Sequence, residues 1–156
     1  MCSSDLFDRT MRVLAVDLGA RRIGLAISDP DAVFAFPLST LEARGRDRDI
    51  DALQRVIAEH EVERVVIGLP LHMNGRTGPE AEAAREFARE LAERTGLQVE
   101  TLDERWTTVE AERVLRESGH KRARQRGVVD SVAASIILRT YLELQQRNRS
   151  VPGEDE

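Results

Sequence analysis

The fold is decided by one run of sequence, Val13-Leu14-Ala15-Val16-Asp17-Leu18-Gly19-Ala20-Arg21-Arg22-Ile23-Gly24-Leu25-Ala26-Ile27-Ser28-Asp29. Two short apolar stretches flank a turn that contains a glycine and two arginines, which is the pattern of a β-hairpin. Asp17 stands near the end of the first strand, where a rigid backbone holds its carboxylate close to cations. A carboxylate in this place is suited to a metal ion or a phosphate group, and the alternative is a solubilising aspartate in a turn.

The rest of the chain continues with helices and strands. A short apolar segment that contains Pro37 predicts a third strand at a sheet edge, since proline cannot donate to a central ladder. Later apolar runs are joined by segments of helical spacing, which is typical of parallel strands covered by helices. The predicted elements are strands at 32–38, 63–69 and 97–102 and helices at 49–61, 79–95, 107–115 and 129–144. Together with the hairpin they predict an α/β fold, a mixed five-stranded sheet flanked by helices.

Composition indicates an ordinary single globular domain. The 156 residues are 41% hydrophobic and 33% charged, and no apolar stretch approaches the roughly 18 residues of a membrane span. Residues 1–10 contain no apolar core of a secretory signal, and the single cysteine, Cys2, cannot form an internal disulfide. We expect a cytoplasmic protein with an N-terminal extension at 1–10, one domain at 11–147 and an acidic flexible tail at 148–156.

Net charge alone argues against a nucleic-acid partner, but its distribution does not. Of the total charge of −5, the tail residues 154–156 contribute −3 and residues 1–10 contribute −1, which leaves −1 for residues 11–150. Within that body, four cations occupy six consecutive positions, namely Lys121, Arg122, Arg124 and Arg126. Because phosphate binding responds to the local field, this basic segment is a candidate nucleic-acid contact.

Three acidic sites lie where strands or helices end. Asp17 and the pair Asp103-Glu104 follow predicted strands, and Asp130 lies in the predicted first turn of the last helix. Helix-connected parallel strands present their carboxyl ends at one edge of a sheet, where α/β proteins form their binding crevice. Converging carboxylates need a compensating cation, and Mg²⁺ or Mn²⁺ prefers such oxygen ligands. For Asp130 the alternative is a favourable interaction with the helix dipole.

Four collinear motifs over residues 11–145 together resemble the YqgF/RuvX family, described as Holliday junction resolvases and as pre-16S rRNA nucleases. The motifs are the hairpin 17–29, Gly68-Leu69-Pro70 with Gly75 and Gly78, Asp103-Glu104-Arg105 with Thr107-Thr108, and Val129-Asp130 with Ala133-Ala134 and Ile136-Ile137-Leu138. The resemblance implies an RNase H-like fold and a metal-dependent endonuclease of structured nucleic acid. It also implies a cytoplasmic protein that takes part in maturing the 5′ end of small-subunit ribosomal RNA.

The resemblance also implies site residues. Asp17 falls on the acidic position of the first strand and Asp130 on that of the last helix, while the middle position is Asp103 or Glu104. Strand alternation puts these two neighbours on opposite faces, so only one of them should bind metal, and the longer reach of Glu104 favours it. We therefore expect Asp17, Glu104 and Asp130 to hold Mg²⁺ or Mn²⁺.

Arginines near the acidic sites are candidate phosphate ligands. A guanidinium group matches the geometry of phosphate oxygens, which suits Arg105 and either Arg21 or Arg22. The expected partner is nucleic acid, either precursor ribosomal RNA, within ribosomal particles or free, or branched DNA. Paired cuts on a junction would favour a homodimer, whereas RNA trimming is compatible with a monomer. A binding regulator that keeps the fold without cutting is the remaining alternative.

The basic segment should govern affinity and not chemistry. Replacing Lys121, Arg122, Arg124 and Arg126 by glutamine should weaken nucleic-acid binding and flatten its salt dependence, since each lost phosphate contact removes about 0.9 from the log–log slope on duplex. The measurement is a binding titration at several salt concentrations, and an unchanged slope would show that this segment makes no phosphate contacts.

Overall fold

A computed structural model describes residues 11–19, 21–69, 78–103 and 126–150, with the side chains of 132–147 in the last of these ranges. Five strands and three helices lie within them. In chain order they are β1 (Arg12–Leu18), β2 (Arg22–Ser28), β3 (Ala35–Glu42), α1 (Arg46–His60), β4 (Val62–Leu69), α2 (Pro79–Thr95), β5 (Gln98–Asp103) and α3 (Arg126–Ser150).

The strands form one mixed sheet in the order β3-β2-β1-β4-β5. Neighbouring strands are antiparallel from β3 to β1, because tight connections join them, and parallel from β1 to β5, where helices make the crossovers. The predicted mixed five-stranded sheet is therefore confirmed. The first strand of the hairpin lies at its centre.

Two apolar cores lie on opposite faces of this sheet. Leu14 and Val16 of β1 belong to the core beneath α1 and α2. Val13 and Ala15 belong to the core beneath α3. This alternation follows from the pleat, which sends successive side chains of a strand to opposite faces. Strand β1 is thus buried on both sides.

Some element boundaries differ from the predicted ones. The third strand spans Ala35–Glu42 and not 32–38, because residues 29–34 form a turn and the ladder with β2 continues through polar residues. Helix α3 begins at Arg126 and ends at Ser150, beyond both predicted ends. Helix α2 begins at Pro79 and ends at Thr95 as predicted, and the following Gly96 caps it with a φ of 73° that suits glycine. The predicted helix at 107–115 lies outside the described residues.

In the part of the chain that the structure describes, no helix is long and apolar enough to cross a bilayer.

Asp29 organises the turn between β2 and β3. Its Oδ1 accepts hydrogen bonds from the backbone N–H groups of Val33 at 2.8 Å and Phe34 at 2.9 Å. Partial desolvation acts to raise the pKa of Asp29, but the hydrogen bonds from Phe34 and Val33 outweigh it, so the pKa lies below its ordinary value of 3.8. The ionised carboxylate therefore stabilises the folded turn.

Replacing Asp29 by alanine should lower the free energy of unfolding by about 1 kcal/mol near neutral pH, since two backbone donors lose their acceptor. The pKa is lower in the folded state, so this contribution is present above the unfolded pKa and is lost as the pH falls through the folded one. Urea unfolding of both proteins at about pH 7 and about pH 3 measures the difference. Asp29→Asn keeps the acceptor oxygen and is the control. A difference that stays constant between the two pH values would contradict the role of the charge.

Candidate active site

Asp17 lies at the carboxyl end of the central strand β1 and is half-buried. It is paired with Gly24 of β2. On the other side Val16 is in register with Ile67 of β4, so the next residues along these parallel strands are Asp17 and Gly68. Because Val13 and Ala15 face α3, alternation places the Asp17 carboxylate on the α3 face as well.

Glycines flank Asp17 on both neighbouring strands. Gly24 and Gly68 are both buried, and neither places a side chain beside the carboxylate on the α3 face. A glycine inside a strand often marks a point where a ligand or another backbone approaches closely. Neither of the two paired glycines therefore adds a side chain next to Asp17 on the α3 face. The parallel register that brings Gly68 beside Asp17 has no local signal in the sequence, so the position of this glycine could not be predicted from it.

A tight turn follows Asp17 and carries the candidate arginines. The N–H of Gly19 donates to the carbonyl oxygen of Arg22 at 3.0 Å, and a Cβ at Gly19 would lie only 2.6 Å from that oxygen. The carbonyl oxygen of Arg21 accepts from the N–H of Ala43 at 2.9 Å, which ties the turn to the end of β3. Arg21 is exposed and Arg22 is half-buried. Both cations thus lie at the same end of the sheet as Asp17.

Asp103 lies on the face of the sheet opposite to Asp17. It is the last residue of β5 and pairs with Leu69 of β4, which belongs to the core beneath α1 and α2. Leu102 belongs to the core beneath α3. Asp103 therefore faces away from α3, and Glu104 lies outside the described residues.

Position 130 lies on the side of α3 that packs against the sheet. It precedes Ala134, Ile137 and Tyr141 by four, seven and eleven residues, and these three are buried beneath the helix. Tyr141 lines a small cavity with Met11 and Val13, at the start of β1. From there the helix rises about 16 Å to position 130, while β1 rises about 13 Å from Val13 to Asp17. Position 130 and Asp17 therefore lie at comparable distances from this cavity, measured along the helix and along the strand. Asp130 is in the second turn of the helix, not in its first as predicted.

The other predicted site residues fall mostly outside the described ranges. Arg105, Lys121, Arg122 and Arg124 lie there, and Arg126, predicted to belong to a loop, is the first residue of α3. Among the described residues no three carboxylate, imidazole or thiol side chains are close enough to share a metal ion. Of the three expected metal ligands the structure describes the side chain of Asp17 alone, since Glu104 and the side chain of Asp130 lie outside the described part of the chain. All three would supply the carboxylate oxygens that these ions prefer.

Known proteins resemble this chain along most of its length. The model of a family described as "RuvX: Holliday junction resolvase" matches residues 11–144. A Chloroflexus aurantiacus protein named "Putative pre-16S rRNA nuclease" is 48% identical over 136 residues, which cover 87% of this chain and 89% of that protein. A Moorella thermoacetica protein of the same name is 46% identical over 138 residues, covering 88% and 99%.

Solved structures show the same fold at low identity. Thermus thermophilus RuvC in complex with a Holliday junction substrate matches with a TM-score of 0.57 and 14% identity, covering 87% of this chain and 96% of RuvC. The fowlpox virus Holliday junction resolvase matches with a TM-score of 0.52 and 14% identity, covering 85% and 99%. The predicted RNase H-like fold is confirmed by these matches.

Replacing Gly19 by alanine should disturb the turn that follows Asp17. The new Cβ would collide with a backbone oxygen, so the turn must open, and we expect a loss of about 1–3 kcal/mol in the free energy of unfolding. Ala43→Gly is a control at the neighbouring strand end that adds no atom. Chemical unfolding of both variants makes the comparison, and a Gly19→Ala protein as stable as wild type would show that the turn is not tightly packed.

Proposed function

This chain belongs to the RuvX/YqgF family, and from that premise we propose that it is a metal-dependent endonuclease whose substrate is precursor 16S ribosomal RNA. The observation that carries the proposal is the position of Asp17 on the central strand. Its carboxylate is half-buried, lies between two glycines and faces the helix that bears Asp130. The names of relatives that are close to half identical supply the RNA substrate.

Each residue has a distinct role in this proposal. Asp17, Glu104 and Asp130 hold Mg²⁺ or Mn²⁺, which when bound activates a water molecule and stabilises the charge that develops on the phosphate. Gly24 and Gly68 leave room for the substrate backbone beside Asp17. Arg21 or Arg22, together with Arg105, orients a phosphate through paired N–H donors. Water attacks the phosphorus atom and the bond to the leaving oxygen breaks, so hydrolysis leaves two strand ends.

A second candidate function is the cleavage of four-way DNA junctions. The description of the matching family model favours it, and the same site chemistry serves both substrates, because a fold and its carboxylates do not select RNA over DNA. The RNA proposal places the protein in the cytoplasm on ribosomal particles. The junction alternative requires paired cuts and favours a homodimer.

One assay separates these functions. The protein is incubated with Mn²⁺ and offered a precursor 16S ribosomal RNA fragment and a four-way DNA junction side by side, each labelled at one end. We expect cuts in the RNA near the mature 5′ end. Cuts confined to the junction would establish the second candidate, and binding of either substrate without cutting would leave only a regulatory role.

Asp17→Asn should silence cleavage and spare the fold. The amide keeps the volume and most hydrogen bonding of the carboxylate but removes the charge that holds the metal, so cleavage should fall at least about a hundredfold. Nucleic-acid binding should stay equal or become tighter, since a negative charge that faces phosphate is lost. Thermal stability should hold or rise, because repulsion among the carboxylates decreases.

The matched control is Asp103→Asn, which makes the same change on the opposite face of the sheet and should have a milder effect. Glu104→Gln and Asp130→Asn should behave like Asp17→Asn. Full activity of Asp17→Asn at saturating Mn²⁺ would exclude the metal site. Silencing by Asp103→Asn together with an active Glu104→Gln protein would reverse the assignment of the middle ligand.

A further inference from the structure

A chain of hydrogen bonds ties helix α3 to two strands of the sheet. Arg64 of β4 donates from Nη1 to the Tyr141 hydroxyl at 3.0 Å, and this hydroxyl donates to Oε2 of Glu100 on β5 at 2.8 Å. Gln98 donates from Nε2 to the same carboxylate oxygen at 2.7 Å. Tyr141 is only 4% exposed. The three side chains Arg64, Tyr141 and Glu100 are called the polar anchor below.

Tyr141 stays protonated near neutral pH. Burial raises the pKa of Tyr141 to about 12, although the hydrogen bond from Arg64 acts in the opposite direction. The tyrosine therefore keeps its proton and donates it to Glu100. Each of the two hydrogen bonds has a charged partner, and such bonds are shorter and stronger than neutral ones.

Apolar side chains make up the surrounding contact between α3 and the sheet. The cluster contains Ala134, Ile137, Leu138 and Leu142 from the helix and Val13, Ala15, Ala26, Val66 and Leu102 from the strands. Apolar burial is non-directional, and two of these strand residues are alanines, whose small side chains interlock little with those of the helix. Such a contact holds the helix on the sheet but determines its rotation and axial position weakly. Hydrogen bonds, which require defined distances and angles, determine both.

The polar anchor lies about three turns along the helix from the proposed metal site. Tyr141 follows position 130 by eleven residues, which correspond to a rise of about 16 Å along the helix axis. The directions of the two positions around the axis differ by only about 20°. Both positions are therefore on the side of α3 that faces the sheet. A rotation or translation of the helix at Tyr141 would be carried to position 130, since the backbone hydrogen bonds of the helix keep it rigid.

We infer that Tyr141 is a positioning residue for the carboxylate site: through Arg64 and Glu100 it sets the rotation and axial position of α3, and so the distance between position 130 and Asp17. This inference rests on the proposed function, in which Asp17 and Asp130 share one metal ion. In this inference Tyr141 is not a ligand of the ion and acts only through the helix.

The test is Tyr141→Phe, which keeps the buried ring and removes only the hydroxyl. Binding of Mn²⁺ to the free protein, without nucleic acid, is followed by the electron paramagnetic resonance signal of unbound Mn²⁺. We expect the dissociation constant for Mn²⁺ to rise about tenfold, the lower end of the effect of supporting residues at metal sites. The rate of cleavage at saturating Mn²⁺ should stay within about twofold of wild type, because the variant weakens binding of the ion and not the chemical step that follows.

Three further variants separate positioning from general stability. Glu100→Gln keeps an acceptor oxygen for Tyr141 and should retain most of the Mn²⁺ affinity, whereas Glu100→Ala should match Tyr141→Phe. Ile137→Val removes one buried methylene from the same face of α3 and lowers the melting temperature without touching the polar anchor. It should bind Mn²⁺ like wild type.

Two outcomes would overturn the inference alone. Mn²⁺ affinity of Tyr141→Phe equal to wild type would show that the polar anchor does not position the site. Equal losses of affinity in Tyr141→Phe and Ile137→Val would show that any destabilisation of the helix has this effect. A wild-type protein that binds no Mn²⁺ and cuts no nucleic acid would overturn the proposed function itself, and the inference with it.

Discussion

The rest of the structure depends on the burial of strand β1 on both of its faces. Residues 13–16 are all buried, and the pleat divides them between the two cores. Asp17 follows directly, so its face is set by the apolar residues before it and not by any interaction of its own. A slip of one residue in the register would bury the carboxylate in the core beneath α1 and α2 and turn Val16 towards α3. The hydrophobic requirement that folds the sheet therefore also places the acidic group.

Local patterns made the hairpin and the order of elements predictable from the sequence. The third strand was less predictable, and only its overlap with 35–38 was right. Val33 and Phe34 are apolar and belong to the predicted strand, yet they are exposed in a turn whose backbone is hydrogen-bonded to Asp29. Ser39 and Thr40 are polar and yet pair with β2. An edge strand lacks a second neighbour and a full covering layer, so its composition says little about where it begins and ends.

The sequence indicates candidate site residues but not the faces of the sheet on which they lie. The choice between Asp103 and Glu104 as metal ligand depends on the faces of these residues, and so on the register of β5 against β4. The pairing of Asp103 with Leu69 shows the face of Asp103. The polar anchor had no local signal at all. Tyr141 is 77 residues from Arg64 and 41 from Glu100 in the chain, and no spacing rule of helices or strands connects residues so far apart. Such contacts emerge only when the whole sheet is assembled.

The net negative charge of the chain is compatible with a phosphate-rich substrate because of where the acids lie. Two arginines of the α1–α2 layer, Arg46 and Arg94, form ion pairs with Asp47, Asp51, Glu86 and Glu90. Exposed pairs of this kind add little stability, but the two arginines offset half of these four negative charges on the layer opposite α3. The sheet and a helix diameter of about 10 Å separate that layer from Asp17, and charges farther apart than about 8 Å are largely screened in physiological salt. These acids are therefore largely screened from Asp17, which shares its end of the sheet with Arg21 and Arg22 of the β1–β2 turn.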